Sequence, residues 1–430
     1  MLSISNKLEN ILSKLRTRVG SERVFSTIYA GRATAEASES DERFMAGRVI
    51  GPLDGRIISI KDLFDIKDEP TLAGSVIRRT AAVASENAVV VERLRAAGAV
   101  IIGKTHMTEF AFTAVGLNPH YGVLANAIDP QRVPGGSSSG AAVSVAEGTS
   151  EIAIGSDTGG SVRIPAALNG LVGFKPTAKC IPLDGAFPLA PSLDSIGPIA
   201  RTVADCILAD AVMAGEAPVL PAPRALDSLT VGLPEGTMLA DMEPDVCDAF
   251  KHSLKLLQDA GARVVSFELN DLILELRKAA SIGSIAGIEA SHIHADTWLK
   301  DPDANVDERV KHTLAKRLKV SEEDYHGLMQ IRQSLMTEMD RRLADIDFLV
   351  TPTTPIVAPT IASVIDDPVE YDRVEGLLLR NTQIANQFDL CSITLPMPVT
   401  GMPVGLMLTA RNGADKELLA AALAVEKLLS

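Results

Sequence analysis

The chain has 430 residues, 46% hydrophobic and 22% charged, so it can bury a substantial core as one large α/β domain or two ordinary ones. Its 41 Lys and Arg against 55 Asp and Glu give a formal net charge of −14, which argues against nucleic acid as a partner. Charged side chains interrupt the N-terminal segment and no run approaches the ~20 apolar residues that span a bilayer, so we expect a cytoplasmic protein without membrane contacts.

Helix and strand patterns alternate through the first half of the chain. Leu8, Leu12 and Leu15 recur at helical spacing, which predicts an amphipathic helix over residues 2–18. A β-branched run at 56–60 predicts a strand that leads into Lys61. Further strands are predicted at 99–102, 152–154 and 172–174, and further helices at 88–97, 140–146 and 163–168. This alternation is typical of α/β proteins.

The second half has a different composition. Residues 218–223, Pro-Val-Leu-Pro-Ala-Pro, are typical of a connector, and residues 270–345 show a helical, charge-rich pattern. Strands are predicted at 230–234, 263–267, 347–350, 390–396 and 404–408, and helices at 245–260 and 415–429. The chain shows no internal repeats, so a solenoid is excluded.

The four cysteines show no C-x-x-C pairing, and a chain of this length needs no disulfides. We therefore expect Cys180, Cys206, Cys247 and Cys391 to be reduced thiols in the core rather than a zinc site or a redox pair.

Two local patterns match motifs of other chemistries. Residues 98–105, Gly-Ala-Val-Ile-Ile-Gly-Lys-Thr, fit the letters of a phosphate-binding loop, but a helix precedes the first glycine where the motif needs a strand. Residues 136–140, Gly-Ser-Ser-Ser-Gly, fit the nucleophile elbow of an α/β-hydrolase, which would make Ser138 the nucleophile of an esterase. That enzyme also needs a histidine later in the chain, and the available ones mostly lie in helical, charged surroundings: His252, His292, His294, His312 and His326. Both interpretations are disfavoured.

A third interpretation uses two serine-containing glycine loops together. A serine hydroxyl needs a proton acceptor and donors for the oxyanion before it becomes an effective nucleophile. Ser161 follows Thr158, Gly159 and Gly160, where the glycines allow consecutive N–H groups to point at one place. Ser137 lies in an equally free loop and could relay the proton of Ser161 to a base.

Lys61 is the candidate base. It must be neutral to accept a proton, although a free lysine titrates near ~10.4. Its neighbours Ile57, Ile58, Ile60 and Phe64 are apolar, and burial among them would lower its pKa. The alternative, a solvated surface lysine, is weakened by these flanking residues.

At these positions the sequence resembles the amidase signature family. Residues 134–166 are similar to the family's glycine- and serine-rich segment, with Pro-Gly-Gly-Ser-Ser at one end and Gly-Ser-Asp-Thr-Gly-Gly-Ser-Val-Arg-Ile-Pro-Ala at the other. Further matching segments are 98–110, 173–177, 192–198, 395–396 and 402–406. Ile57 and His106 depart from the usual proline and asparagine, and we interpret His106 as a structural substitution.

The resemblance implies a role for each residue of the two loops. Ser161 would be the acyl-enzyme nucleophile, Ser137 a bridging serine held by a cis peptide, and Lys61 the general base. The backbone N–H groups of Thr158, Gly159, Gly160 and Ser161 would form the oxyanion hole. The family spacing selects Ser137 over Ser138, and Asp157 and Arg163 are expected to pair and hold the loop.

The resemblance also implies the fold. It is an α/β fold with a central mixed β-sheet of many strands, covered by helices on both faces. Residues 1–430 would form a single domain, with an N-terminal helical segment at about 1–45 and a peripheral helical elaboration at about 240–345.

The activity implied is hydrolysis of a small carboxamide or related amide, without metal or cofactor. We expect Met107, Ile164, Phe187 and the segment 188–192 to line a largely apolar acyl pocket, with core packing as the alternative for each. The remaining alternative is the glutaminase-type component of a tRNA-dependent amidotransferase, in which glutamine is common where this chain has Ile164. A homodimer is a family-level expectation.

Overall fold

A computed structural model describes residues 3–18 and 20–430. Its strands form one mixed sheet of eleven, in the order β1-β3-β2-β4-β6-β5-β10-β11-β9-β7-β8. The strands are β1 Phe25–Ile28, β2 Ile57–Lys61, β3 Val100–Thr105, β4 Ile152–Asp157, β5 Val172–Lys175, β6 Ser195–Ala200, β7 Thr230–Pro234, β8 Arg263–Phe267, β9 Phe348–Pro352, β10 Cys391–Pro396 and β11 Gly405–Ala410.

Helices connect most of the strands. They are α1 Ile4–Arg16, α2 Ala30–Met45, α3 Val89–Ala96, α4 Ser139–Ala146, α5 Arg163–Leu168, α6 Val203–Ala214, α7 Pro244–Asp259, α8 Asn270–Ala279, α9 Ile285–His294, α10 Glu308–Arg317, α11 Glu322–Leu343, α12 Ile361–Val364, α13 Pro368–Gln387 and α14 Asp415–Leu429. None of those within the described residues is both long and apolar enough to cross a membrane.

Strand directions vary across the sheet. The strand β2 lies parallel to β3 on one side and to β4 on the other, whereas β4 and β6 are antiparallel. The register pairs Ile60 with Ile154, so the C-terminal ends of β2 and β4 lie side by side. Polar residues that follow these two strands therefore meet at one edge of the sheet.

Helices cover both faces of the sheet, as expected. Ile57, Val100 and Ile102 pack with apolar residues of α1 and α2, whereas Ile58 and Ile101 belong to the core that includes α3 and α6. Alternate residues of a strand point to opposite faces, so two covered faces require a continuous apolar run. The first residues of β2 and β3, 57–58 and 100–102, meet that requirement.

The N-terminal helix forms where the spacing predicts it, over Ile4–Arg16. Its buried residues are Leu8, Ile11, Leu12 and Leu15. The hydroxyl of Ser3 caps it by accepting a hydrogen bond from the Asn6 N–H. The first apolar position of the predicted pattern, Leu2, lies outside the described residues.

All four cysteines are free thiols, but their burial differs. Cys206 and Cys391 are buried in the core as predicted, whereas Cys180 is exposed and Cys247 is intermediate. The expectation of a core position is wrong for Cys180, because it follows β5 in a surface turn rather than in the strand.

Candidate active site

Lys61 is the last residue of β2 and is fully buried. Its Nζ lies 2.7 Å from the Ser137 Oγ and 2.9 Å from the Ser156 Oγ. Ser156 is on the neighbouring strand β4, and Ser137 is in the loop before α4. The lysine amine thus touches two hydroxyl groups, and sequence reasoning found only one of them.

Burial lowers the pKa of Lys61 from 10.5 to about 7, although the carboxylates of Asp157 and Asp194 oppose this shift. Desolvation disfavours the charged form of an amine, and an isolated cation in this position would be costly. A neutral amine can donate one hydrogen to Ser156 and accept another from Ser137. Lys61 therefore has the surroundings that a lysine base requires.

The first serine loop is held from several sides. The Gly136–Ser137 peptide bond is cis, in agreement with the family resemblance. The N–H of Gly136 donates to the carbonyl of Ala114 at 2.6 Å, and the N–H of Thr108 donates to the carbonyl of Ser137 at 3.2 Å. Ser137 is fully buried, so its hydroxyl is fixed beside the lysine.

The second serine loop follows β4 and leads into α5. Gly160 has a φ of 135°, and a Cβ there would collide with the Thr382 Oγ1, so only glycine fits. The Thr382 hydroxyl donates to the carbonyl of Gly159 at 2.7 Å. Among the described residues, the N–H groups of Gly159, Gly160 and Ser161 find no hydrogen-bond acceptor. These donors are available to a ligand.

The two loops are joined directly. The N–H of Ser138 donates to the carbonyl of Ser161 at 3.2 Å. The Ser138 hydroxyl is buried and donates to the carbonyl of Ser156 at 3.3 Å. Ser138 therefore supports the loop and does not line the cavity that contains Ser161, which disagrees with the nucleophile-elbow interpretation.

A buried ion pair anchors the second loop, as predicted. Arg163 Nη2 lies 2.8 Å from Asp157 Oδ1, and both side chains are fully buried. Asn386 of α13 donates to the same carboxylate oxygen at 2.8 Å. Burial by itself would raise the pKa of Asp157, but the charge and hydrogen bonds of Arg163, with Asn386, lower it to about 2. The carboxylate stays ionised and orders the start of α5.

A second carboxylate holds the loop from the opposite side. Asp194 Oδ1 accepts a hydrogen bond from the Thr158 hydroxyl at 2.5 Å. Its other oxygen accepts from the N–H groups of Leu189 and Ala190, at 2.9 and 3.0 Å. The oxyanion-loop candidate and the segment at 189–190 are therefore linked through one buried side chain.

Ser161 opens into a cavity of about 260 Å³. Sequence reasoning missed most of the lining, because it comes from the helical region and from α13, where no motif marks it. The lining includes Ala111, Phe112, Thr113, Ala114, Thr158, Gly159, Leu189, Leu193, Ser284, Ile285, Ala286, Arg309, Thr313, Tyr371, Asp372, Glu375, Leu379, Gln383 and Gln387. The elaboration at about 240–345 thus contributes to the cavity, through Ser284 to Ala286 and through α10.

Met107, Ile164 and Phe187 were expected in the acyl pocket, but none of the three lines the cavity of Ser161, whereas Leu189 of the expected segment 188–192 does. Met107 and Ile164 are buried in hydrophobic clusters and do not line the cavity of Ser161. Phe187 lines two neighbouring cavities instead. Met107 lies just beyond β3 and Ile164 near the start of α5, and both side chains point into packed core rather than toward Ser161. For these two the packing alternative holds.

The pattern at residues 98–105 is structural. Lys104 is buried, and its Nζ lies 3.6 Å from the Asp62 carboxylate, so it does not face an open loop. The ring of His106 packs on Tyr121, with centroids 4.6 Å apart, and burial lowers the pKa of His106 to about 4. Its carbonyl accepts from the N–H of Gly140, which fits the structural role expected of His106.

Known proteins are similar to this chain over nearly its whole length. The amidase family profile matches residues 13–419. The 2-amino-5-chloromuconic acid deaminase of Comamonas testosteroni is 35% identical over 413 residues, covering 94% of this chain and 88% of the deaminase. One component of the glutamyl-tRNA(Gln) amidotransferase of Chloroflexus aurantiacus is 31% identical over 453 residues, covering 98% of this chain and 92% of that component.

A solved structure extends the similarity to the fold. A crystal structure of an amidase superposes with a TM-score of 0.88 at 31% identity, covering 100% of this chain and 97% of that one. Together with the profile match, these similarities show that the chain belongs to the amidase family and is a hydrolase of carbon–nitrogen bonds.

Proposed function

We propose that this enzyme hydrolyses a small carboxamide or related amide through an acyl-enzyme on Ser161. The observation that carries the proposal is the fully buried Lys61 amine, 2.7 Å from the Ser137 hydroxyl and with a pKa lowered to about 7. A neutral amine at that place is a base at physiological pH. Ser137 and Ser161 belong to the two loops that the Ser138–Ser161 backbone hydrogen bond joins.

The proposed reaction begins with transfer of the Ser137 proton to Lys61, while Ser137 takes the proton of Ser161. The Ser161 oxygen attacks the amide carbon, and the tetrahedral intermediate then expels the amide nitrogen. The nitrogen leaves with a proton returned along the same relay. Water next attacks the ester and gives its proton to the relay. The relay returns that proton to the Ser161 oxygen as the carboxylic acid leaves, which restores Ser161 and the neutral Lys61 amine.

The oxyanion of both intermediates would be bound by backbone donors of residues 158–161. The free N–H groups of Gly159, Gly160 and Ser161 support this role. A donor that is already fixed costs no reorganisation during the reaction, and the loss of one such donor typically reduces kcat by about 10²- to 10³-fold.

The substrate is proposed to be small and partly polar. A cavity of about 260 Å³ suits a small molecule, and its lining includes the ionisable side chains of Arg309, Asp372 and Glu375. The deaminase from Comamonas testosteroni, whose name describes release of an amino group from a small acid, supports a substrate of this size.

The test is ammonia release from a panel of small amides by the purified protein alone. We expect turnover by the wild type, none by Ser161→Ala, and retained turnover by the matched loop variant Ser138→Ala. Full activity of Ser161→Ala would contradict the assignment of the nucleophile. Labelling by a fluorophosphonate, lost only in Ser161→Ala, reports the nucleophile independently of the substrate.

The same assay distinguishes the amidotransferase alternative. The similarity to the amidotransferase component covers nearly the whole chain, at lower identity than the similarity to the deaminase. Release of ammonia from glutamine alone, and only when a partner protein is added, would support that alternative. Release from simple amides without a partner would support the stand-alone enzyme. We also propose that the chain is a single domain, built on the one sheet.

A further inference from the structure

A second cavity lies beside the catalytic cavity, and the proposed reaction does not use it. Its volume is about 450 Å³. Its lining combines aromatic rings with one arginine: Ile77, Arg78, Thr80, Ala81, Phe110, Phe187, Ile293, His294, Thr297, Trp298, Asp301 and Ala304. None of these residues lines the cavity that contains Ser161.

A strained turn separates the two cavities. Phe110 and Ala111 have φ angles of 52° and 59°, a left-handed conformation that residues other than glycine rarely adopt. The turn directs Phe110 into the second cavity and Ala111 into the catalytic one. Strain of this kind persists where the surroundings impose it, and it is concentrated at ligand sites. Here the turn places the Phe110 ring in the second cavity and only the small Ala111 side chain in the catalytic cavity.

The aromatic residues form a planar-ligand surface. The rings of Phe110 and Trp298 are stacked, with centroids 5.3 Å apart and planes 8° from parallel. Phe187 lies 5.9 Å from Phe110, centroid to centroid. The ring of His294 lies 4.4 Å from that of Phe110. Phe110, His294 and Trp298 are buried and Phe187 is partly exposed, so the rings form one aromatic wall of the cavity in which Phe187 offers the most accessible surface.

The histidine in this surface is neutral. Its Nδ1 accepts a hydrogen bond from the Trp298 Nε1 at 2.9 Å. Burial, and the charge of Arg78, lower the pKa of His294 to about 4. With Nδ1 as the acceptor, Nε2 carries the hydrogen and is a donor. His294 therefore adds no charge to the cavity.

Arg78 gives the cavity its positive charge. Its guanidinium carbon lies 4.3 Å from the centre of the Phe187 ring. Its Nε donates to the carbonyl of Thr71 at 2.6 Å, which orients the fork. No carboxylate among the described residues forms an ion pair with it within 4.0 Å. The two terminal nitrogens are free to bind an anion.

The other charged group of the lining is Asp301, which is exposed. Its Oδ1 accepts from the N–H of Asp303 at 2.9 Å and closes its own turn. It therefore lies at the rim rather than against Arg78. The lining thus combines a single cation, a neutral histidine and aromatic walls.

We infer that this cavity binds a planar, unsaturated or aromatic carboxylate. The ring or conjugated chain stacks on Phe110, Phe187 and Trp298, and the carboxylate accepts hydrogen bonds from the Arg78 fork. An arginine fork matches the two oxygens of a carboxylate, and such charge-assisted pairs are among the stronger hydrogen bonds. The ligand could be a product acid of this enzyme or an unrelated aromatic acid, because both have this chemistry.

The test uses the fluorescence of Trp298, because the chain contains one tryptophan. Benzoate is titrated into the full-length protein, with benzyl alcohol as the neutral planar control and cyclohexanecarboxylate as the non-planar one. We expect a saturable change with benzoate, half-complete below about 10 mM. Each control should bind at least about 10-fold more weakly. Equal binding of benzyl alcohol, or no saturable change, would overturn the inference.

Variants assign the contacts. Arg78→Gln should weaken benzoate binding about 10- to 100-fold, and Arg78→Lys, which keeps the charge without the fork, by less. If Arg78→Gln does not fold, the test uses Arg78→Lys and Phe187→Leu instead. Each of these variants should weaken benzoate binding about 5-fold. Unchanged affinity in folded variants of both positions would refute the site.

A final arm separates this cavity from the catalytic one. In Ser161→Ala, and in wild type labelled by a fluorophosphonate, the benzoate titration should be unchanged. Loss of the signal in the labelled protein would show that benzoate occupies the catalytic cavity, and the second site would be rejected. Because this readout requires no turnover, it remains valid even if the proposed amidase reaction fails.

Discussion

Replacement of Lys61 by methionine tests the central physical claim, that the buried amine is neutral. In the unfolded chain this amine titrates near 10.5, whereas burial lowers its pKa to about 7 in the folded protein. Between these pH values the unfolded state binds one proton more than the folded state. The free energy of unfolding of the wild type therefore rises with pH by about 1.4 kcal/mol per unit, and the variant lacks this contribution.

We expect the difference in unfolding free energy, wild type minus Lys61→Met, to rise by about 2 to 3 kcal/mol between pH ~7.5 and ~9.5. The measurement is urea unfolding of both proteins at several pH values. Lys319→Met, which replaces an exposed lysine, is the matched control and should differ from wild type by a constant amount. A constant difference for Lys61→Met as well would show that Lys61 has an ordinary pKa, and the proposed base would be lost.

The remaining predictions concern turnover and the supporting contacts. Wild-type turnover should fall about tenfold per pH unit below about pH 7, because the amine is then protonated; a flat profile to pH ~5 would contradict this. Ser156→Ala removes the second hydroxyl on the lysine and should lower kcat by about 10-fold with little change in KM, measured by steady-state kinetics. Gly160→Ala should abolish turnover, because its Cβ would collide with Thr382; an active variant would refute the role of that loop conformation. Arg163→Met leaves Asp157 charged, buried and unpaired, and should cost about 3–5 kcal/mol in urea unfolding, whereas a loss below about 1 kcal/mol would contradict the anchoring role.

Much of the fold follows from local patterns. The helix at Arg163–Leu168 and the strands at Thr230–Pro234 and Arg263–Phe267 have the predicted bounds. The helical segment predicted at about 1–45 covers α2 but did not anticipate the strand β1 within it, and sequence reasoning gave no assignment for β6, α6 and α13. Ser195–Ala200 contains Gly197 and Pro198, which are poor strand formers, and it forms a strand because β4 and β5 pair with it on both sides. Tertiary pairing overrides propensity there.

The loop part of the site was predictable because glycine and serine patterns are local. Lys61, Ser137 and the turn at Gly160 all stand where the residues and the family resemblance place them. The lining of the cavity was not predictable, because it depends on which helices cover the edge of the sheet. Met107 and Ile164 are close to the loops in sequence yet face the core, whereas Arg309 and Tyr371 are far away in sequence and line the cavity.

The helix α13, in the second half of the chain, holds the glycine loop that follows β4 in the first half. Asn386 donates both to the Asp157 carboxylate and to its carbonyl, and the Thr382 hydroxyl donates to the carbonyl of Gly159. The Gly159 carbonyl is thus engaged, whereas the N–H groups of Gly159, Gly160 and Ser161 have no acceptor among the described residues. The conformation of the glycine loop is thus set by contacts more than two hundred residues away in sequence, and a loop with the right letters but without α13 would have no fixed donors. The glycine-rich motif alone therefore does not determine the conformation of this loop, whereas its packing against α13 does.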